Sequence, residues 1–400
     1  MDTIEVLDKN ECCGCSSCYQ KCPQNAIEMK EDEEGFFYPV IDKDKCINCG
    51  LCYHVCPQLK KVKKIEDGYP KAYAMYNKEQ QIQLKSSSGG IFTELANYTF
   101  QDNGVVFGAA YNEKFKVNHI AILKKSEINK LRKSKYVQSN INNTYKLAEK
   151  YLYEGKKVLF TGTPCQIMGL KEYLGKEYDN LITCDLVCHG VPSQKAFDQY
   201  LNFLTKKNKN PIVNYDFRSK DIKDCEKIGK VTFKNRKVKF LKIGLDCYYS
   251  NFLEGNIFRE SCYNCRYSNL NRVGDITIGD YLGALQIQSD AYSSRGTSLC
   301  IINSKKGELV FNNIRNRFNV FDTTLEKISK YNSNLNHAIK RPTCRDIIYK
   351  NIDDEKVFYD DLKNNMKIIN KIKSYIPVRL KFFLKKNKEE IEIDKGNSFS

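Results

Sequence analysis

The chain has 400 residues, 41% of them hydrophobic, and a formal charge of +17 because 65 lysine and arginine residues outnumber 48 aspartate and glutamate residues. This length is enough for two or three domains with a sizeable core, and the composition excludes an intrinsically disordered chain. The first residues lack the basic and then apolar layout of a signal peptide, and the longest apolar runs are too short to cross a bilayer. We therefore expect a cytoplasmic protein whose 18 cysteines are reduced and bind metal.

The basic residues are mostly lysines scattered along the chain, without the interleaved aromatic residues or the fold signature of a nucleic-acid-binding protein. We therefore expect no nucleic-acid partner. A lysine-rich solvated surface explains this charge, and a second explanation is attraction of an acidic electron carrier or a multiply anionic cofactor.

Two cysteine runs, at residues 12–23 and 46–57, each follow the pattern C-x2-C-x2-C-x3-C-P. This is the bacterial ferredoxin spacing, in which three cysteines of one run and the last cysteine of the other hold one [4Fe-4S] cluster. The predicted ligands are Cys12, Cys15, Cys18 and Cys56 for the first cluster, and Cys46, Cys49, Cys52 and Cys22 for the second. The alternative is a pair of zinc sites, because C-x2-C also binds zinc. Cys13 fits no ligand position and is interpreted as a spare thiol.

The segment from Gly35 to Asp42 has the pattern of a strand next to a turn, and lysines at 60–64 followed by Asp67 and Gly68 indicate a short linker. Beyond the linker, strand and helix patterns alternate. The predicted fold class is therefore α/β: an α+β ferredoxin-like two-cluster module followed by an α/β domain with a mostly parallel sheet.

A serine- and glycine-rich segment, Ser86-Ser87-Ser88-Gly89-Gly90, leads directly into an amphipathic helix pattern from Ile91 to Tyr98. A serine cap followed by glycines leaves backbone N–H groups free at a helix N-terminus, which favours binding of an anion such as the diphosphate of a flavin dinucleotide. An ordinary helix cap has the same pattern, so that alternative stays open.

The region from Lys157 to Leu204 predicts a strand-helix-strand-helix unit with parallel strands. Gly162-Thr163-Pro164-Cys165-Gln166 begins the first helix, and Cys188-His189-Gly190-Val191-Pro192 follows the second strand. Cys165 and Cys188 are then expected at the same sheet edge, where open α/β sheets bind ligands.

A third C-x2-C pair, Cys262 and Cys265, precedes a strand pattern from Asp275 to Tyr281. Together with Cys165 and Cys188 it supplies four thiolates for a third cluster. A zinc site of four cysteines and unrelated buried cysteines are the alternatives. Cys184 lies on the preceding strand and is the weaker ligand candidate.

The last part of the chain, from Met366 to Lys388, mixes apolar residues with many lysines. A basic amphipathic tail can lie weakly on an anionic membrane surface, and a surface helix with a frayed end is the alternative.

Five motifs are similar in type and order to those of the coenzyme F420 hydrogenase/dehydrogenase beta subunit family. They are Ser86 to Gly90, Ser134 to Ser139, Gly162 to Gln166, Cys188 to Pro192, and Cys262-x2-Cys265 followed by Gly279-Asp280. The resemblance implies a flavoprotein that binds FAD and a [4Fe-4S] cluster and exchanges a hydride with a deazaflavin, coenzyme F420. Because this chain also carries its own ferredoxin module, it is similar to the longer form of the family. For that form, a hydride donor or acceptor other than coenzyme F420 is the alternative.

On this resemblance the expected domains are a ferredoxin domain at 1–66, the N-terminal part of the beta-subunit-like region at 67–155, a flavin and iron–sulfur domain at 156–345, and a basic helical tail at 346–400. The expected flavin-phosphate contacts are Ser87, Ser88, Gly89 and Gly90, and the expected ring contacts are Lys135, Gln138 and Thr163. His189 is the candidate catalytic residue, as a donor to the flavin or to cluster sulfur; its alternative role is to support its loop.

The sequence therefore predicts an iron–sulfur flavoprotein oxidoreductase that passes electrons between [4Fe-4S] clusters and a flavin, and that works with an electron-carrier or redox partner protein. One alternative is a flavin-free electron-relay subunit. Another is a reductase that serves a glycan or other biosynthetic pathway. No nickel–iron ligand set is present in the sequence, so we do not expect the chain itself to activate hydrogen.

Overall fold

The N-terminal module is built around its two cysteine runs. The computed structural model describes residues 2–60, 68–222, 228–242 and 245–366. The module contains helix α1 (Ser17–Lys21), strands β1 (Ile27–Glu31) and β2 (Phe37–Ile41), and helix α2 (Leu51–His54). The two strands pair antiparallel, with Ile27 opposite Ile41, and each short helix starts inside one cysteine run. The strand expected between Gly35 and Asp42 is thus present.

The remaining strands form two further sheets. They are β3 (Lys71–Asn77), β4 (Val105–Tyr111), β5 (Val117–Ile122), β6 (Val158–Gly162), β7 (Leu181–Leu186), β8 (Ile212–Ser219), β9 (Ile228–Phe233), β10 (Val238–Lys242), β11 (Ile276–Asp280), β12 (Ser298–Ile302) and β13 (Phe318–Thr323).

The helices between these strands lie on both faces of the larger sheet and around the smaller one. They are α3 (Gln80–Leu84), α4 (Ile91–Phe100), α5 (Thr144–Tyr153), α6 (Pro164–Leu174), α7 (Gln194–Asn208), α8 (Cys247–Glu254), α9 (Ala284–Ile287), α10 (Lys305–Ile314), α11 (Leu325–Tyr331), α12 (Arg345–Lys350) and α13 (Glu355–Asn364).

The larger sheet has eight strands in the order β13-β3-β12-β11-β7-β6-β4-β5. Its four central strands, β11, β7, β6 and β4, are parallel, and the pairs outside them are antiparallel. The predicted α/β class is therefore confirmed, including the parallel pairing of β6 with β7. The antiparallel outer strands are an arrangement that the alternating strand and helix pattern did not reveal.

Side chains along the central strands alternate between the two faces of the larger sheet, which explains why helices cover both faces. In β4, Val105 and Phe107 pack with α5 and α6, whereas Val106 and Ala110 pack with α4 and α10. Side chains of successive residues point to opposite faces of a strand, so a strand that is apolar at every position needs two covering layers.

A second core surrounds the three-stranded sheet, whose order is β10-β9-β8. Helix α7 contributes Phe197 and Tyr200 to it, and helices α12 and α13 contribute Ile348 and Phe358. The first part of the segment predicted as a tail, 346–366, is therefore packed into this core. Residues 367–400, which hold most of the predicted basic amphipathic stretch, lie outside the described residues, as does the linker at 61–67.

The ferredoxin module is seated on helices α5 and α6. Ser17 Oγ donates to Gly169 O at 2.7 Å, and Gln20 Oε1 accepts from the N–H groups of Tyr145 and Lys146 in the first turn of α5. A side chain at Gly169 would bring its Cβ within 3.0 Å of Cys15 Sγ. The absence of a side chain at Gly169 therefore allows the first cysteine run to lie directly on α6.

Replacement of Gly169 by alanine is expected to destabilise the protein. Alanine in a helix interior normally stabilises by about 0.5–1 kcal/mol relative to glycine. Here the added methyl group contacts Cys15, and overpacking of this kind costs about 1–3 kcal/mol. Chemical denaturation of Gly169→Ala beside Lys171→Ala, a half-buried position of the same helix, measures the difference. A Gly169→Ala protein as stable as the parent would contradict the close contact.

His119, buried on β5, is expected to make stability depend on pH. Its Nε2 lies 2.9 Å from Thr161 O and its Nδ1 2.6 Å from Ser139 Oγ. Because a carbonyl oxygen only accepts, Nε2 carries the hydrogen, and burial lowers the pKa of this ring from 6.5 to about 4. The unfolded chain then binds a proton below pH 6.5 that the folded chain does not, so stability falls as the pH falls from 6.5 towards 4.

Between pH 8 and pH 5 this group should remove about 2 kcal/mol from the free energy of unfolding. His119→Gln keeps a hydrogen-bonding side chain without the titration, so its stability should change less over the same range. Denaturation curves of both proteins at pH 8 and pH 5 test this. Equal losses in the two proteins would show that His119 does not titrate on unfolding.

Candidate iron–sulfur and flavin sites

The first predicted ligand set lines one cavity of the ferredoxin module. The cavity is bounded by Cys12, Cys15, Cys18 and Cys56, by Cys13, and by the apolar residues Ile4, Leu7 and Met29. Gly14 and Ser16 have φ angles of 66° and 64°, which turn the chain between the cysteines before α1 begins. Three cysteines of one run thus share a cavity with the last cysteine of the other, as the ferredoxin spacing requires.

The second set lines a separate cavity that is closer to solvent. Its lining includes Cys22, Cys46, Cys49 and Cys52. The N–H of Ala26 donates to Cys22 Sγ at 3.3 Å. Cys46 and Cys49 are half-buried, and Ile47 between them is 60% exposed.

Burial and neighbouring thiols shift the pKa values of the first set in both directions. Burial raises the pKa of Cys56 to about 12 and that of Cys18 well above its usual range. A hydrogen bond with Cys13 lowers the pKa of Cys15 to about 7. A buried thiol gives up its proton readily when it coordinates a metal. The number, spacing and shared cavities of the eight cysteines fit two [4Fe-4S] clusters.

Cys165 lies at the beginning of α6. Thr163 caps this helix through a reciprocal pair of hydrogen bonds with Gln166, and Pro164 is its first residue, as the sequence predicted. Thr163 Oγ1 lies 3.2 Å from Cys165 Sγ. Cys188 follows β7, which is parallel to and paired with β6, so Cys165 and Cys188 lie at the same edge of the sheet.

The Cys262–Cys265 loop is attached to this edge by a buried arginine. The Arg272 guanidinium donates to Tyr267 O at 2.7 Å and to Leu186 O at 2.8 Å, and lies 3.3 Å from the buried carboxylate of Asp185. The residue that ends β7 is therefore linked to the loop that carries the last two cysteines.

The structure brings the four cysteines of the predicted third site together. Burial raises the pKa of Cys188 to about 12, with further contributions from the negative charges of Cys165 and Cys265. Burial, Cys188 and Cys265 raise the pKa of Cys262 in the same way. Four thiols that affect one another's ionisation form a donor set that fits one further cluster.

Cys13 joins the first ferredoxin site to the third site. Interactions with the thiols of Cys15 and Cys165 raise the pKa of the buried Cys13 well above its usual range. Nothing in the sequence pattern indicated this contact beyond an extra cysteine beside a ligand.

Ser87 and Ser88 line a polar cavity between the serine–glycine segment and the loop that follows β11. Its polar lining also includes Arg218, Lys220, Asp280, Arg295 and Thr297. Ser87 Oγ accepts from Ser134 N at 2.8 Å, and Ser88 Oγ donates to Thr297 O at 2.8 Å. Both hydroxyl groups therefore also hold neighbouring loops in place.

The backbone of this segment can take its observed conformation only because residues 89 and 90 are glycines. A Cβ at Gly89 would overlap Met75 O, and Gly90 has a φ of 99° immediately before α4. They allow the segment to lie against β3, but neither glycine is among the residues that line the polar cavity.

Arg218, which the sequence analysis did not single out, anchors the polar cavity. It is buried and donates to Asp280 Oδ2 at 2.8 Å, to Ser87 O at 3.0 Å and to Tyr136 Oη at 3.1 Å. Its Nε has no acceptor among the residues that the structure describes. With Lys220 and Arg295 it gives the cavity three cationic side chains, which suit an anionic ligand.

The three predicted ring contacts lie in different surroundings and none lines the polar cavity. Lys135 Nζ donates to Arg132 O at 2.9 Å, and burial lowers the pKa of its amine to about 7. Gln138 Nε2 donates to Cys13 O at 3.1 Å, and Thr163 caps α6 beside Cys165. Gln138 and Thr163 thus lie next to the cysteine sites, and their contact with a flavin stays a prediction.

His189 is held by contacts with the protein at both ring nitrogens. Nδ1 lies 3.2 Å from Asn334 Oδ1, and Nε2 lies 2.9 Å from Leu253 O. The ring packs edge-on against Phe252 and Phe258. This position supports the loop after Cys188, and a catalytic role for His189 stays a prediction.

Disulfides, single-metal sites and membrane-spanning helices are absent from residues 2–60, 68–222, 228–242 and 245–366. No disulfide joins the cysteines of these segments, and no three histidine, cysteine, aspartate or glutamate side chains converge closely enough to hold a single metal ion. No helix in these segments is long and apolar enough to cross a membrane.

Models of known families match both cysteine-rich parts of the chain. The model of a family described as the C terminus of the coenzyme F420 hydrogenase/dehydrogenase beta subunit matches residues 155–325. Two models of 4Fe-4S dicluster domains match residues 11–59 and 38–88. No curated protein matches the chain.

Among solved structures, a chain of the F420-reducing [NiFe] hydrogenase complex from Methanosarcina barkeri, in a xenon derivative, is 16% identical with a TM-score of 0.44. The match covers 76% of this chain and 92% of that chain. On the family matches, this protein combines a domain of the coenzyme F420 hydrogenase/dehydrogenase beta subunit family, over residues 155–325, with a 4Fe-4S dicluster module at its N-terminus, which is the arrangement of an iron–sulfur, oxidoreductase-like subunit related to that family.

Proposed function

We propose that this protein is an iron–sulfur flavoprotein oxidoreductase that passes electrons between three [4Fe-4S] clusters and one flavin. The flavin is FAD, and its hydride partner is coenzyme F420 or another two-electron carrier. A bound flavin takes up two electrons as a hydride and releases them singly, whereas each cluster carries one electron at a time. The chain's own residues set the positions of the flavin and the clusters, the charges around them and the access of redox partners to them.

The observation that carries the proposal is the path of residues 134–139. At one end, Ser134 N donates to Ser87 Oγ at the polar cavity. At the other end, Gln138 contacts Cys13 O between the first and third cysteine sites. Ser134 and Gln138 are four positions apart in the chain, so their Cα atoms are at most about 14 Å apart. A cofactor in the polar cavity would lie a short distance from the clusters, as electron transfer between them requires.

The positions of the three cysteine sites support a relay from solvent towards the sheet. The second site is bordered by the exposed Ile47, and the first site lies on α6. The thiol of Cys13 interacts with Cys15 of the first site and with Cys165 of the third, and both interactions raise its pKa. We propose that a redox partner protein exchanges electrons at the second site, and that electrons reach the flavin through the first and third sites.

Three cations support a dinucleotide in the polar cavity. Arg218, Lys220 and Arg295 line it, and the Arg218 Nε is a buried donor without an acceptor in the described part of the chain. Phosphate oxygens bind such groups by charge-assisted hydrogen bonds. Lys135, whose pKa is about 7, exists in both protonation states near neutral pH and is suited to exchange a proton at Nζ.

The rival function is a flavin-free electron relay, and one measurement separates the two. Iron and flavin per chain are determined on protein purified without oxygen. About twelve irons and one flavin support the proposal, whereas about eight irons and no flavin support a relay built on the ferredoxin module alone. Zinc in place of iron would contradict both.

Cys165→Ala is expected to remove the iron of the third cluster only. Loss of one of four thiolates leaves a cluster without a complete ligand set, so about four of twelve irons should be lost. The matched control is Cys184→Ala, a buried cysteine on the neighbouring strand, which should retain all the iron. Equal iron in the parent and Cys165→Ala proteins would remove Cys165 from the ligand set.

Arg295→Gln is expected to weaken flavin binding about tenfold or more, because a hydrogen bond to a charged group contributes about 1.5–3 kcal/mol. Arg295 lines the polar cavity and is half-buried, so its loss should leave the fold intact. Flavin retained after gel filtration, and flavin titration of the stripped protein, measure the effect. Arg236→Gln, an exposed arginine outside the cavity, is the control, and an equal affinity of both variants would place the flavin elsewhere.

A further inference from the structure

Arg259 lies at the junction of the first and third cysteine sites. Its side chain is 1% exposed, and it precedes the ligand candidate Cys262 by three residues. The guanidinium donates to Cys12 O at 2.6 Å, to Phe37 O at 3.0 Å and to Gln138 Oε1 at 3.2 Å. All three acceptors are neutral oxygens, so these bonds satisfy its N–H groups without balancing its charge.

Arg259 differs in this respect from the other buried arginines of the described segments. Arg218 pairs with Asp280 at 2.8 Å, Arg272 with Asp185 at 3.3 Å and Arg345 with Glu260 at 2.8 Å. For Arg259, no carboxylate of the described residues lies within 4.0 Å. Its flat faces are instead covered by Tyr38, with the ring centroid at 4.1 Å, and by Phe36 at 5.4 Å.

A buried charge without a counter-charge is strongly unfavourable, and arginine does not lose its proton in proteins. The cysteines whose negative charge favours the protonated Arg259 belong to the two flanking sites: Cys12 and its neighbour Cys13 at the first, and Cys262 at the third. An iron–sulfur core held by four thiolates is anionic, and it gains one further negative charge on reduction.

The local backbone also leaves room for this guanidinium. Gly14, between two ligands of the first site, has a φ of 66°, and a Cβ there would lie 2.9 Å from Arg259 Nη1. The turn between Cys12 and Cys15 therefore has space for the guanidinium only because residue 14 has no side chain.

We propose that Arg259 is the shared counter-charge of the first ferredoxin cluster and the third cluster, and that it raises the reduction potentials of both. The inference rests on the proposed function, because it requires both clusters. One fixed positive charge then stabilises an added electron at either position, so both potentials rise together. The second cluster, whose four cysteines line a separate cavity, is outside this effect.

The test is a redox titration of the full-length protein, purified without oxygen and followed by electron paramagnetic resonance, in parent and Arg259→Gln proteins. The potentials of the first and third clusters should both fall, by at least tenfold in the reduction equilibrium constant, or about 59 mV for a one-electron couple. The potential of the second cluster should not change. Unchanged potentials in a variant that retains its iron would overturn the proposal.

Two further variants decide the result if Arg259→Gln loses iron. Gln138→Glu places a carboxylate beside the Arg259 guanidinium and should lower the same two potentials. Arg259→Lys keeps the charge and should leave them near the parent values. A fall in Arg259→Lys, or no fall in Gln138→Glu, would show that the geometry of the side chain matters and not its charge.

The control is the double variant Lys116→Gln with Asp198→Asn, which removes a partly exposed ion pair between residues 116 and 198 without changing the net charge. Its potentials should match the parent, and a fall equal to that of Arg259→Gln would overturn the proposal. The iron content of the parent separates this inference from the proposed function. About eight irons would mean that the third cluster, and with it the shared role of Arg259, does not exist, whereas about twelve irons leave only the charge effect to be decided.

Discussion

The close packing of the first cysteine run on α6 is the contact on which the arrangement of the sites depends. Gly169 brings the helix against Cys15, and the same helix begins with Cys165. A larger residue at 169 would move the ferredoxin module away from the helix that carries a ligand of the third site. Because protein interiors are close-packed, a displacement here cannot be absorbed locally. One missing side chain therefore sets the distance between two proposed redox centres.

Local signals in the sequence were enough for the elements around the proposed sites and for the grouping of the ferredoxin cysteines, whose role as ligands stays a prediction. Cysteine spacing predicted which thiols share a cavity, since the crossing of the fourth cysteine is a property of the motif itself. The capping residues around Thr163 predicted the start of α6, and apolar runs predicted the central strands. These features depend on neighbours a few residues away, which is the range over which sequence patterns are informative.

Contacts between distant segments were not accessible in this way. Arg218 connects β8 to the serine–glycine segment and to Asp280, and Arg259 connects residues 12, 37 and 138. Neither arginine stands in a recognisable pattern, because its role depends on segments far away in the sequence. The antiparallel outer strands were missed for the same reason: strand direction there depends on which loops cross the sheet, not on the strands' own residues.

The order in which these contacts become available has a consequence for biosynthesis. All eight ferredoxin cysteines lie within the first 56 residues, whereas the residues that secure the module to the rest of the protein include Arg259 and Arg345. During translation the two ferredoxin clusters have complete ligand sets long before their final environment exists. The third site has all its cysteines only after residue 265 has been made. Maturation would thus proceed from the N-terminus inwards, with the module folding first and docking onto the sheet when synthesis is nearly complete.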